Sequence, residues 1–124
     1  MEGYLLVTGA LFILIGLRAL IGPIGAVVRP FGLEADTPDA LHYIRSGSGG
    51  VAIGCGIAMI VGGVLPAYAL AGLVVGIAVL GGLVVGRLFS LIVDGRPGRI
   101  ALISGGFEAF GLISGLYWLA APAA

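Results

Sequence analysis

Apolar residues fill four long stretches of this chain, and the charged positions fall almost entirely between them. The first stretch runs from Tyr4 to Ile21, with Arg18 as its single charged residue. At about 20 residues it is long enough to cross a hydrocarbon layer as a helix. Gly22-Pro23 ends it, because proline cannot continue a helix and restricts the residue before it. A first helix is therefore predicted over about residues 4–22. Residues 23–36 mix two apolar triplets, Ala26-Val27-Val28 and Phe31-Gly32-Leu33, with Arg29, Glu34 and Asp36. That mixture reads as a connection lying against the membrane.

Thr37-Pro38-Asp39 carries the signals of a helix start. Threonine can cap, proline suits the first helical position, and an acid favours the positive end of the helix dipole. A second helix over residues 38–65 would be roughly 42 Å long at about 1.5 Å per residue, against a hydrocarbon layer of ~30 Å. Its first two turns, with His42, Tyr43 and Arg45, should project beyond the hydrocarbon. No charged residue occurs from Ser46 to Gly86, which is room for two crossings. Pro66, just after Gly62-Gly63, is the natural break, and a third helix is predicted over 67–93. Asp94-Gly95-Arg96-Pro97 supplies a stop, a turn and a restart. A fourth helix over 98–121 carries Glu108 near its middle. The expected fold is all-α: one integral-membrane domain over 1–124, a four-helix bundle with both termini outside.

The orientation rests on two signals. All six basic residues are arginines, and Arg18, Arg29, Arg45, Arg87, Arg96 and Arg99 all lie in or beside the first and third connections. The positive-inside rule makes that side cytoplasmic. Tyr4, Tyr68, Tyr117 and Trp118 fall at the opposite helix ends, as an outer aromatic belt would.

Composition sharpens this picture. The chain is 60% hydrophobic and 10% charged, with a mean hydropathy of +1.21, whereas soluble domains carry about 25% charged residues. A soluble fold of this size could not hide so much apolar surface. Net charge is zero and there is no lysine, which makes nucleic acid an implausible partner. A lone cysteine, Cys55, excludes an internal disulfide and a cysteine-based metal site and reads as a small packing residue. The acid Glu2 precedes the first apolar run and Arg18 follows it, the reverse of a secretory signal, so the run reads as a retained helix. His42 stands alone, with no pair or dense carboxylate set to make a metal site. No nucleophile with a nearby histidine and acid is evident, and Gly47-Ser48-Gly49-Gly50 lacks the strand and lysine of a phosphate-cradling loop. Neither a catalytic set nor a cofactor is expected.

Glycines number 24, and several lie four apart: Gly50 and Gly54, Gly72 and Gly76, Gly82 and Gly86, Gly111 and Gly115. In lipid, small residues let helix backbones approach closely. The spacing suits packing within the bundle or docking on another membrane protein.

The polar residues of the second half gather at one depth. Arg87 lies about 10 Å deeper than Asp94 along the third helix, and Glu108 lies about 15 Å beyond Gly98 along the fourth. Because the chain reverses between them, an Arg87–Glu108 ion pair follows if those faces meet. A lone charge in hydrocarbon costs at least ~2.5 kcal/mol, so a partner is expected. Ser90 and Ser104 lie between that pair and the arginine side. One reading is a clamp that sets the register of the last two helices. Another is a pocket in which Arg18, Arg45 and Arg87, with Ser90 nearby, hold the phosphate or carboxylate of a lipid headgroup. A third makes Glu108 a proton carrier, a role that pairing with Arg87 opposes.

The run Gly86-Arg87-Leu88-Phe89-Ser90, then Asp94-Gly95-Arg96-Pro97, then Glu108, resembles the signature of a bacterial four-helix inner-membrane family catalogued as a domain of unknown function. The glycine-rich helices are also loosely similar to DoxX-like membrane proteins. The resemblance implies a multi-pass bundle in the bacterial inner membrane, and it marks Arg87, Ser90, Asp94, Gly95, Pro97 and Glu108 as positions to test. It brings no established activity. The expected function is an accessory subunit, not an enzyme, that contacts membrane lipids and a larger membrane complex or further copies of itself. The competing expectation is a small proton-coupled transporter centred on Glu108.

Overall fold

The computed structural model describes residues 1–35 and 37–121; Asp36, one of the acids of the first connection, lies outside the described residues. Four helices form: α1 (Glu2–Ile21), α2 (Pro38–Val64), α3 (Pro66–Val93) and α4 (Arg99–Ala120). Each is long and apolar enough to cross a membrane. They pack in chain order, each antiparallel to the one before, with α1 also touching α3 and α4. This up-and-down layout brings the end of α1, the start of α2, the end of α3 and the start of α4 to one side, here called the arginine end.

The helix boundaries follow local chemistry. Glu2 sits in the first turn of α1 and Arg18 in its last, each matched to the helix dipole. The Thr37 hydroxyl accepts the Ala40 N–H at 3.2 Å and Pro38 opens the helix, as the start signals of α2 require. Leu65, with extended backbone, separates α2 from α3, and Pro66 opens α3 as a single tight 3₁₀ turn. At the other hairpin Gly95 has φ +90°, a conformation that other residues rarely adopt.

Two stretches depart from the expected pattern. The connection after Pro23 is partly helical: Ile24–Val28 forms a π-helical turn, closed by the Arg29 N–H on the Ile24 carbonyl. A second π-helical stretch, Arg45–Gly50, lies inside α2. Its Gly47-Ser48-Gly49-Gly50 run forms helix weakly, and there the helix widens.

The α1–α2 interface is built on glycines seven apart, not four. A Cβ on Gly9 would fall 2.7 Å from the Gly56 carbonyl oxygen, and one on Gly16 would fall 2.7 Å from that of Gly49. The same register continues to Gly63, whose Cβ would meet the Leu6 side chain at 2.9 Å. A seven-residue spacing is 3.5 residues per turn, the repeat of helices crossing at about 20° with a left-handed twist. The missing side chains let the two backbones touch, and dispersion over that contact holds the pair without any hydrophobic drive between helices in lipid.

The expected four-residue pairs divide. Gly72 lies against the Ala58 carbonyl and Gly62 of α2, and Gly76 against the Met59 sulfur. Gly111 lies against Leu80, and Gly115 against Tyr4 and Ile77. Gly82 and Gly86 do not serve packing within the bundle: a Cβ on either would meet open space. They lie on the side of α3 turned away from both neighbouring helices. Gly50 and Gly54 likewise face no neighbouring helix. The fully buried centre is small, Leu5, Met59 and Leu73, with Tyr4, Phe12 and the free Cys55 packed around it.

Candidate functional site between the last two helices

The site is created where α3 and α4 part towards the arginine end. Helix α4 is the least buried of the four. Where it meets α3 it offers Ala101, Gly105 and Ala109, residues too small to fill the gap. A cavity of about 390 Å³ results, lined on α3 by Val84, Arg87, Leu88, Ser90 and Leu91 and closed at the turn by Gly95 and Pro97. Its wall is mostly aliphatic, so Arg87 and Ser90 are its polar features.

Arg87 crosses from α3 to α4. Its Nε–H and one NH2 proton engage the two carboxylate oxygens of Glu108, the latter at 2.9 Å. Its NH1 donates weakly to the Ala101 carbonyl at 3.4 Å. A guanidinium has five N–H donors, and these three bonds leave two unassigned. Arg87 keeps 31% side-chain exposure and Glu108 17%. The arginine therefore stands between the cavity and the acid. Two parallel charge-assisted bonds fix the plane of both groups.

Gly105 makes this crossing possible. A Cβ there would sit 3.1 Å from Arg87 Cδ, so the arginine stem lies directly over that glycine. Gly106, its neighbour, faces open space. No sequence motif marks Gly105; its position three residues before Glu108, on the same helix face, is the signal that ties it to the pair.

Nearer the arginine end, the Ser90 hydroxyl donates to Asp94 Oδ2 at 2.8 Å. Asp94, Ser90 and Arg87 are spaced four and three residues apart, so they form one polar track along α3 from the turn into the cavity.

The expected three-arginine pocket does not form. Neither Arg18 nor Arg45 lines the cavity that Arg87 lines. Arg45 instead donates to the Leu20 carbonyl. The last carbonyls of α1 have no intrahelical partners, and a cation at that negative end satisfies one of them. Arg18 is exposed in the last turn of α1. Each arginine thus goes to its own nearby partner or to the surface.

Tyr4 also departs from its expected place in an aromatic belt. Its ring packs against the core, and its hydroxyl donates to the Gly111 carbonyl at 2.8 Å. Gly115, one turn on, leaves the space that the hydroxyl fills. Tyr68, Tyr117 and Trp118 remain exposed at that end, the last two in edge-to-face contact at 5.1 Å.

No curated protein and no solved structure matches this chain. The family described as a domain of unknown function, DUF4345, matches residues 1–119, nearly the whole four-helix bundle, and the chain belongs to that family.

Proposed function

We propose that this multi-pass protein is a non-catalytic accessory subunit of a membrane, which holds an anionic amphiphile in the α3–α4 cavity with its headgroup on Arg87. The observation that carries the reading is the position of Arg87 on the wall of an aliphatic cavity, with donors to spare. A cavity of this size lies at the lower end of the ~300–1,000 Å³ typical of small-ligand sites. It takes an acyl chain or part of one; the Ser90 hydroxyl, whose one proton is donated to Asp94, offers the anion no donor. The arginine end, which carries the basic residues, suits a cytoplasmic leaflet rich in anionic lipid. A bacterial inner membrane is the setting this reading assigns.

A second reading, transport centred on a freely titrating Glu108, fits less well. Both oxygens of Glu108 are engaged by Arg87, so neither stands open to a passing substrate. The outward-facing Gly82 and Gly86 on α3 favour association with a further membrane helix, and so the accessory role.

Purification from native membranes in mild detergent, followed by native mass determination and identification of everything that co-elutes, tests the proposal. An anionic lipid retained by the wild type and lost from Arg87→Gln is the expected result. Equal lipid retention by both would overturn the ligand assignment. A stoichiometric partner protein would support the accessory role, and a lone monomer would count against it.

A further inference from the structure

We propose that Glu108 is an internal stand-in for the ligand: an anionic headgroup takes its place on Arg87, and the released carboxylate takes up one proton. This rests on the reading of the cavity as an anionic-amphiphile site and adds how that site is kept closed and charge-balanced.

Three observations lead there. The Nε–NH2 edge of Arg87, one of the two edges with which a guanidinium grips a carboxylate or phosphate, is fully used by Glu108, and NH1 on the other edge is turned to the Ala101 carbonyl. An incoming anion therefore takes the NH1–NH2 edge, where NH1 already donates to Ala101, or displaces Glu108. Access favours displacement: Arg87 lines the cavity and is the more exposed partner, while Glu108 is behind it. A ligand arriving through the cavity meets the guanidinium first. Room favours it too, since the stem of Arg87 lies over Gly105 with open space at Gly106, so the guanidinium can turn towards the cavity.

Charge then requires the proton. The pair is neutral as it stands. Adding one anion would leave a net negative charge at membrane depth, a costly state. One proton on Glu108 restores neutrality, so the anion and the proton enter together. Among the described residues, the surroundings offer no other group to carry that charge. From α3, Glu108 faces Arg87. From α1, which also touches α4, the nearby titratable group is Tyr4, committed to the Gly111 carbonyl. Asp94, Arg96 and Arg99 lie at the turn, and among the described residues none of them pairs with Arg87 or Glu108. Asp94 instead accepts from Ser90.

The bound state holds one more proton than the free state, so affinity must rise as pH falls, by up to about tenfold per pH unit. The probe is a short-chain phosphatidylglycerol, whose phosphodiester stays anionic throughout, titrated into the full-length protein in neutral detergent between pH 5 and 8. Calorimetry in two buffers of different ionisation enthalpy counts the protons. The wild type should bind more tightly at lower pH, with net proton uptake accompanying binding within the range. Glu108→Gln keeps an amide oxygen for Arg87 but no charge to displace. It should bind at pH 8 at least tenfold more tightly than the wild type, with no proton uptake and no pH dependence. Wild-type binding that is flat with pH and free of proton uptake overturns the displacement while leaving the cavity assignment standing. Failure of the wild type to bind at any pH, or equal binding by Arg87→Gln, overturns both.

Discussion

The Tyr4 hydroxyl donates 2.8 Å to the backbone carbonyl of Gly111, which pins the first turn of α1 to the middle of α4. Helix α4 otherwise leans mainly on α3, to which the Arg87–Glu108 crossing ties it less than one turn away from Gly111. Two polar contacts, three residues apart at its middle, thus fix a helix that buries little of itself.

Removing that pin should loosen α4 by a modest amount. Tyr4→Phe leaves the ring in the core and deletes one hydrogen bond, so the expected loss is about 1 kcal/mol. Gly115→Ala places a methyl 2.6 Å from the Tyr4 oxygen and 3.0 Å from Ile77, and should displace the same hydroxyl. If one contact underlies both losses, the double variant will fall short of their sum. Thermal unfolding of the four proteins in one detergent measures this, and strict additivity would show that the hydroxyl and Gly115 act separately.

The glycine seam between α1 and α2 gives a matched comparison. Gly16→Ala and Gly56→Ala each drive a methyl towards a backbone carbonyl of the opposite helix, at 2.7 Å and 2.6 Å. Backbone cannot yield as a side chain does, so each should lose about 1–3 kcal/mol, as overpacked sites do. Gly82→Ala and Gly86→Ala meet nothing and should be neutral or slightly stabilising, since alanine favours helix by about 1 kcal/mol. Equal losses at all four positions would contradict the observed register.

The Arg87–Glu108 pair should show the signature of a partly buried charge clamp. Glu108→Ala leaves Arg87 unpaired and should cost about 2 kcal/mol, below the ~3–5 kcal/mol of fully buried pairs because Arg87 keeps 31% exposure. The double variant Arg87→Leu, Glu108→Leu should recover much of that loss. Single and double variants that melt alike would mean the pair contributes nothing.

Gly105 and Gly106 separate positioning of Arg87 from general crowding of the cavity. Both line it, but only a Cβ on Gly105 meets the arginine stem. Gly105→Val should weaken binding of anionic lipid by pushing the guanidinium aside, while Gly106→Val should leave the Arg87–Glu108 contact intact. Lipid affinity and the salt dependence of binding read out the difference.

Much of this architecture was legible in the chain. Prolines 23, 38 and 66 and the Asp94-to-Pro97 turn mark the helix ends, because a missing N–H and a fixed φ act locally. The meeting of Arg87 and Glu108 followed from depth alone: a hairpin brings residues equally far from its turn together. What depth could not supply was the rotation of each helix about its axis. Gly82 and Gly86 share the spacing of Gly72 and Gly76, yet they face outward because α3 presents a different side to its neighbours there. The seam of Gly9 and Gly16 against Gly49, Gly56 and Gly63 obeys a seven-residue period that a search for four-residue pairs passes over. Arg45 and Tyr4 depart from their expected places for a related reason. Each is amphipathic and lies near a helix end, where surface and interior are both within reach: Arg45, still exposed, takes the Leu20 carbonyl of α1, and Tyr4, half-buried, takes the Gly111 carbonyl of α4.

The most direct measurement is lipid exchange followed by native mass spectrometry. Wild type and Arg87→Gln would be placed in bilayer discs of equimolar phosphatidylglycerol and phosphatidylcholine, and then released gently. Wild type that retains phosphatidylglycerol in preference to phosphatidylcholine, with the preference abolished by Arg87→Gln, is the expected result. The same lipid ratio on both proteins would contradict a ligand site centred on Arg87.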